Sequence, residues 1–207
     1  MKKIIVLVIF CISGLTHAQD KYSKGMEKAF QLWGEQKPTE ASNLFERIAM
    51  AEQDNWIPHY YVAHVNAISS FGEKDFEKLS KQLEKAKEFL DLAKAISENN
   101  PELMVLEALI NTAWIAYDGA TYGMTLSGKN FQLYEQAMAM SPENPRVVLA
   151  KAEWEMGSAR YFGKDVSPYY KDIERSLELF ANFSNDTPFH PSWGKDRAEA
   201  LLKQRSE

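Results

Sequence analysis

The side chains able to bind metal, attack a substrate or move protons are few in this chain, and their spacing argues against most of that chemistry. Beyond residue 18 the imidazoles are His59, His64 and His190, with no thiol to join them. Two histidines on one helix share a metal when they stand three or four apart, because both rings then face the same way. His59 and His64 are separated by five positions, about 140° around a helix, and read as independent residues. His190, beside Pro191, belongs to a turn. No Gly-x-Ser-x-Gly elbow, Ser-x-x-Lys pair or phosphate-cradling glycine loop is present. Carboxylates are plentiful, but runs such as Glu73-Lys74-Asp75-Phe76-Glu77-Lys78 have the alternating charge of a solvated helix face. The expectation is a non-catalytic protein with no metal and no cofactor.

The elements that must position the remaining polar and aromatic residues are marked by proline. Pro58, Pro101, Pro145 and Pro191 each precede or open a stretch of helical periodicity, at intervals of 43, 44 and 46 residues. Proline suits the first helical turn, where its missing N–H would have no partner. Each interval holds two helices. The first (A) is predicted over 58–71, 101–118, 145–162 and 192–204, and the second (B) over 76–97, 130–140 and 168–183. An earlier pair fits 22–35 and 38–53. A recurring interval of this size predicts an all-α solenoid of about four helical hairpins and a C-terminal capping helix.

Within this pattern, Tyr134-Glu135-Gln136-Ala137 followed by Pro142 and Pro145 resembles the end of a tetratricopeptide repeat. The alternation of small and large residues at Ala86, Leu90 and Ala93, and at Ala41 and Phe45, is similar to that family's helix contacts. The intervals exceed the family's usual ~34 residues, and its Trp-x-x-Leu-Gly signature is absent, so the repeats are degenerate. The resemblance implies that the A helices line a concave surface. Six residues after each proline stand His64, Glu107, Lys151 and Arg197, mostly amid apolar neighbours. In stacked helices these positions form a row. Either they line a peptide-binding groove, or Glu107 bridges Lys151 and His64 in an interhelical network.

Aromatic residues offer a second surface. Tyr60 and Trp154, central in their helices, are expected in the core, whereas Tyr117 and Tyr161, near helix ends, are expected to be exposed. Residues 119–129, with Gly119, Gly123 and Gly128 around Tyr122 and Met124, read as a long connection. It either folds over a groove or plugs the end of a hairpin.

Composition bounds the rest. The 207 residues are 45% hydrophobic and 26% charged, enough for one sizeable core. Residues 1–18 read as a signal peptide: Lys2 and Lys3, an apolar run from Ile4 to Leu15, then Thr16-His17-Ala18 with cleavage expected between Ala18 and Gln19. Phe10 ahead of Cys11 does not fit a lipoprotein signal, and cleavage would remove that cysteine. Loss of two lysines moves the formal charge from -5 to -7, which disfavours nucleic acid and anionic lipid as partners. The remaining 19–207 form one helical-repeat domain without a membrane span. The expected function is an exported scaffold that binds a protein or peptide in the bacterial periplasm or envelope, with His64, Glu107 and Lys151 in the groove. The alternative is a small-molecule binder with an enclosed aromatic pocket near Tyr117, Tyr122 and Tyr161, closed by residues 119–129.

Overall fold

Short polar side chains decide where the helices begin. Asn55, Asp75, Asn100 and Asn144 each accept a hydrogen bond from a backbone N–H of the turn they precede, at 2.9–3.0 Å. Each thereby satisfies a donor that has no partner inside the helix. Proline follows the cap directly at Pro101 and Pro145, where its fixed φ already suits a helix.

A computed structural model describes residues 20–185 and 187–205, and the expected export segment lies outside them. The described residues form nine α-helices and one short 3-10 turn, with no strand. In chain order these are α1 (20–34), α2 (Pro38–Ala51), α3 (Trp56–Ser70), α4 (Phe76–Ile96) and α5 (Pro101–Tyr117). Then follow α6 (Gly119–Met140), α7 (Pro145–Tyr161), the 3-10 turn Ser167–Tyr169, α8 (Tyr170–Asn182) and α9 (Lys195–Arg205). Successive pairs form hairpins, α3 packs on α5 and α5 on α7, and α9 covers α8. Four hairpins and a closing helix are the predicted architecture.

The A helices α3 and α5 are apolar on several faces because neighbours enclose them. Residues 57–65 of α3 are buried without interruption, and α5 buries Leu103, Val105, Leu106, Ala108, Ile110 and Ala113. α8 is instead a one-sided cover. Its apolar stripe Ile173, Leu177 and Phe180 packs against Leu149, Ala152 and Met156 of α7.

Two expected boundaries are wrong. Residues 119–129 are helix, not a loop: α6 starts at Gly119, and Asp118 alone forms the turn from α5. Asp118 Oδ1 accepts from Thr121 N at 3.0 Å and its Oδ2 from Thr121 Oγ1 at 2.6 Å. These bonds hold its carboxyl below the usual aspartate range. The glycines lower helix propensity by roughly 1 kcal/mol each, yet the cap and the packing of α6 on α5 prevail. The last helix does not follow Pro191 but starts at Lys195. Residues 187–194 are an irregular strap that runs back over α1 and α3. Gly194 ends it at φ 116, and a Cβ there would lie 2.6 Å from Phe180 Cζ, so both backbone and packing require glycine.

Candidate functional site

The row of polar residues six positions beyond each proline does not form a ladder. His64 is 4% exposed, boxed by Trp33, Tyr60 and Trp193 with ring centroids at 5.3–5.5 Å. Its Nδ1 has no hydrogen-bond partner, and burial pushes its pKa down to about 4. It is a neutral core residue and faces no open groove. Glu107 pairs with Lys94 of α4 at 2.6 Å, and Lys151 with Glu155 at 2.5 Å and Glu135 at 3.4 Å. Arg197 reaches Glu153 at 2.6 Å. Thus Glu107 does not bridge Lys151 and His64. Glu107 and Lys151 find partners on their own or the preceding helix, and of the four positions Arg197 alone reaches across a full hairpin, from α9 to α7.

The consequential polar pair stands one residue after the proline. Glu102 and Arg146, both second in their helices, are 2% and 1% exposed. Arg146 Nε donates to both carboxylate oxygens at 2.9 Å, Nη2 donates to Oε1 at 2.6 Å, and Asn144 Nδ2 adds a bond of 2.7 Å. The guanidinium also lies 4.7 Å from the Phe183 ring centre. This arrangement ties the start of α5 to the start of α7, and both Glu102 carboxylate oxygens are bonded within it.

The tyrosines divide. Tyr117 and Tyr122 join one aromatic platform with Phe76 and Trp114, built from the start of α4, the end of α5 and the start of α6. Ring centroids are 5.9 Å apart for Phe76–Tyr117, 6.3 Å for Phe76–Trp114 and 5.0 Å for Trp114–Tyr122, with tilts of 40–55°. The rings meet because the one-residue turn at Asp118 holds the two helix ends together and the antiparallel hairpins bring the α4 start alongside. Phe76 is 50% exposed, Met124 95%, and the other three rings are half-buried. Ile68 and Phe71, at the end of α3, add exposed apolar surface on the same edge of the stack. Tyr161 is not part of this platform: it is 79% exposed and packs on Phe162 at 5.1 Å, at the end of α7. Nor is the platform an enclosed pocket beneath a loop. It is an open surface, and the segment expected to close it is helix.

The opposite edge, where one hairpin passes to the next, holds an open cleft of about 660 Å³. Amides line much of it, including Asn100, Asn144, Asn182 and Asn185, with Phe183 and His190 at one end. Several of these amides already serve the backbone: Asn100 and Asn144 as caps, Asn182 by donating to Glu178 O. No group of three or more His, Cys, Asp or Glu among the described residues is placed to hold a metal. Glu102, the cleft's buried carboxylate, is neutralised by Arg146.

Sequence reasoning had no means of placing Phe76 in the platform, since an aromatic at the first position of a polar helix has no periodic signature. The cue was local: Asp75 caps α4 and leaves Phe76 on the exposed first turn. No family model and no curated protein matches the chain. Among solved structures its fold is similar to that of the HusA haemophore from Porphyromonas gingivalis, with a TM-score of 0.76 and 21% identity over 88% of this chain and 92% of that one.

Proposed function

We propose that this chain is an exported, non-catalytic binding protein whose ligand is a flat, largely apolar molecule of the tetrapyrrole class. The observation that carries the reading is the platform of Phe76, Trp114, Tyr117 and Tyr122, with Met124 bare beside it in the sequence. Aromatic side chains dominate binding energetics where they are clustered and accessible, and their tilted rings offer both faces and edges. The solved structure of similar fold is that of a haemophore, which supports the ligand class and an extracellular or envelope setting. The apparent signal sequence supports export.

The platform holds no imidazole: His59 and His64 are buried, and His190 lies on the opposite edge. The groups there that could reach a haem iron are Tyr117, Tyr122 and Met124, and in this reading the rings hold the macrocycle whether or not it carries a metal. Tryptophan fluorescence, to which Trp114 is one of five contributors, gives a test. Haem and iron-free protoporphyrin IX should both quench it, with dissociation constants within about tenfold of each other. Trp114→Ala with Tyr122→Ala should weaken both by roughly tenfold or more at unchanged helicity, with absorbance as the readout. Unchanged affinity in that variant would remove the platform from the site, and no binding of either porphyrin would remove the ligand class.

A further inference from the structure

One face of the A helices α1 and α3 is occupied by the chain's own strap. Phe189, His190, Pro191 and Trp193 are buried or half-buried against the rest of the fold, while Thr187, Pro188 and Ser192 are exposed. Phe189 stands edge-on to Tyr22 at 5.5 Å and stacks near Phe30 at 6.1 Å, both on α1. His190 meets Trp56 at 5.7 Å. Trp193 lies 5.5 Å from His64, and its Nε1 donates to Tyr60 Oη at 2.6 Å, on α3. Rings and one side-chain hydrogen bond hold the strap here, a mode of attachment that another peptide can reproduce.

The backbone is held under strain at the same point. Thr187 to His190 form a turn closed by His190 N donating to Thr187 O at 3.2 Å, with Pro188 second. Phe189, third in this turn, stands at φ 60, which makes the turn type II and is a conformation that favours glycine. A bulky residue persists there when surrounding contacts over-determine it, and the contacts in question are with the rings of α1.

We propose that the groove of α1 and α3 is a peptide-binding site filled in cis by residues 187–194. The partner it fits is a peptide that carries two large rings four residues apart with a proline midway and that turns at the first ring, as residues 187–190 do. Clustered aromatic side chains seated in a pocket are the contacts that dominate such binding.

The test uses the mature full-length protein with Phe189→Ala and Trp193→Ala, and a synthetic peptide of residues 187–194 as the probe. The peptide should bind the double variant saturably and raise its melting temperature by about 5 °C near saturation. A peptide with both rings replaced by alanine should do neither. Phe189→Gly, which relieves the strained φ and leaves Trp193 in place, provides a milder background for the same titration. If neither variant folds alone, refolding with the peptide gives the reading, and recovery of helicity supports the groove. A folded variant that ignores the peptide, equal binding of the ring-less peptide, or no recovery on refolding would overturn it.

Discussion

Glu102 carries its charge where water does not reach, and the molecule can hold it there only because Arg146 and Asn144 fill its lone pairs. Removing one member of such a pair leaves the other charge buried alone, at a cost of about 3–5 kcal/mol. Glu102→Ala should lower the urea midpoint accordingly, whereas Glu102→Met with Arg146→Leu should regain most of the loss, because two apolar side chains need no partners. A double variant as unstable as the single one would mean that the pair contributes more than mutual neutralisation. His64 works in the opposite sense. Its folded-state pKa of about 4 lies below the ordinary 6.5, so in that interval the unfolded chain binds more protons than the folded one. Stability is therefore fully present above about pH 6.5 and falls as pH drops toward 4, by of order 3 kcal/mol from this group. His59 and His190 are shifted downward by burial too and add in the same direction. Denaturant midpoints at pH 7 and pH 5 measure the effect, and His64→Phe should flatten it. The charges six residues beyond the prolines were easy to see in the sequence because they interrupt apolar runs. Glu102 and Arg146 were not, because a charged residue just after proline looks like an ordinary first-turn residue. Their opposite signs at matching positions, 44 residues apart, were the available clue.

Helix starts were legible because their chemistry is local: an asparagine cap followed by proline is sufficient at α5 and α7. α6 was misread over its first half because its composition speaks against its conformation. Gly123 and Gly128 are in helix with nothing within 4 Å of a Cβ added to either, so neither glycine is there for close packing in this chain. Alanine at both positions should stabilise the protein by roughly 0.5–1 kcal/mol each, seen as a higher melting temperature. A lower one would show that α6 needs its flexibility in the folded state. The α9 boundary failed for another reason. Proline 191 opens no helix, because residues 187–194 are drawn into contacts with α1 and α3, and such distant partners leave no periodic trace. The platform was half legible: Tyr117 and Tyr122 follow from their place near a helix junction, while Phe76 depends on which hairpin edge faces which.

At the scale of the whole molecule, the core is three clusters, one under α1–α5, one between α5, α6 and α7, and one between α7, α8 and α9. A simple stack of hairpins couples each unit only to its neighbours, so that end units can be removed with graded loss. Here Phe189 packs on the first cluster and Trp193 on the second, and Gly194 abuts Phe180 and Leu149 of the third. Deletion after Asn182 should consequently destabilise α1 and α3, far away in sequence, and broaden or split the unfolding transition. Hydrogen exchange of α3 amides checks this: protection equal to the parent's would mean that the strap is an ornament.

The bond between Trp193 and Tyr60 spans 133 positions of chain. Helix axes pack about 8–10 Å apart, so inserting one more hairpin between the two residues would carry the indole out of reach. Helical arrays commonly diversify by gaining or losing units, and this one is closed to that route. Its length is fixed by its own fastening, and variation is left to the edges.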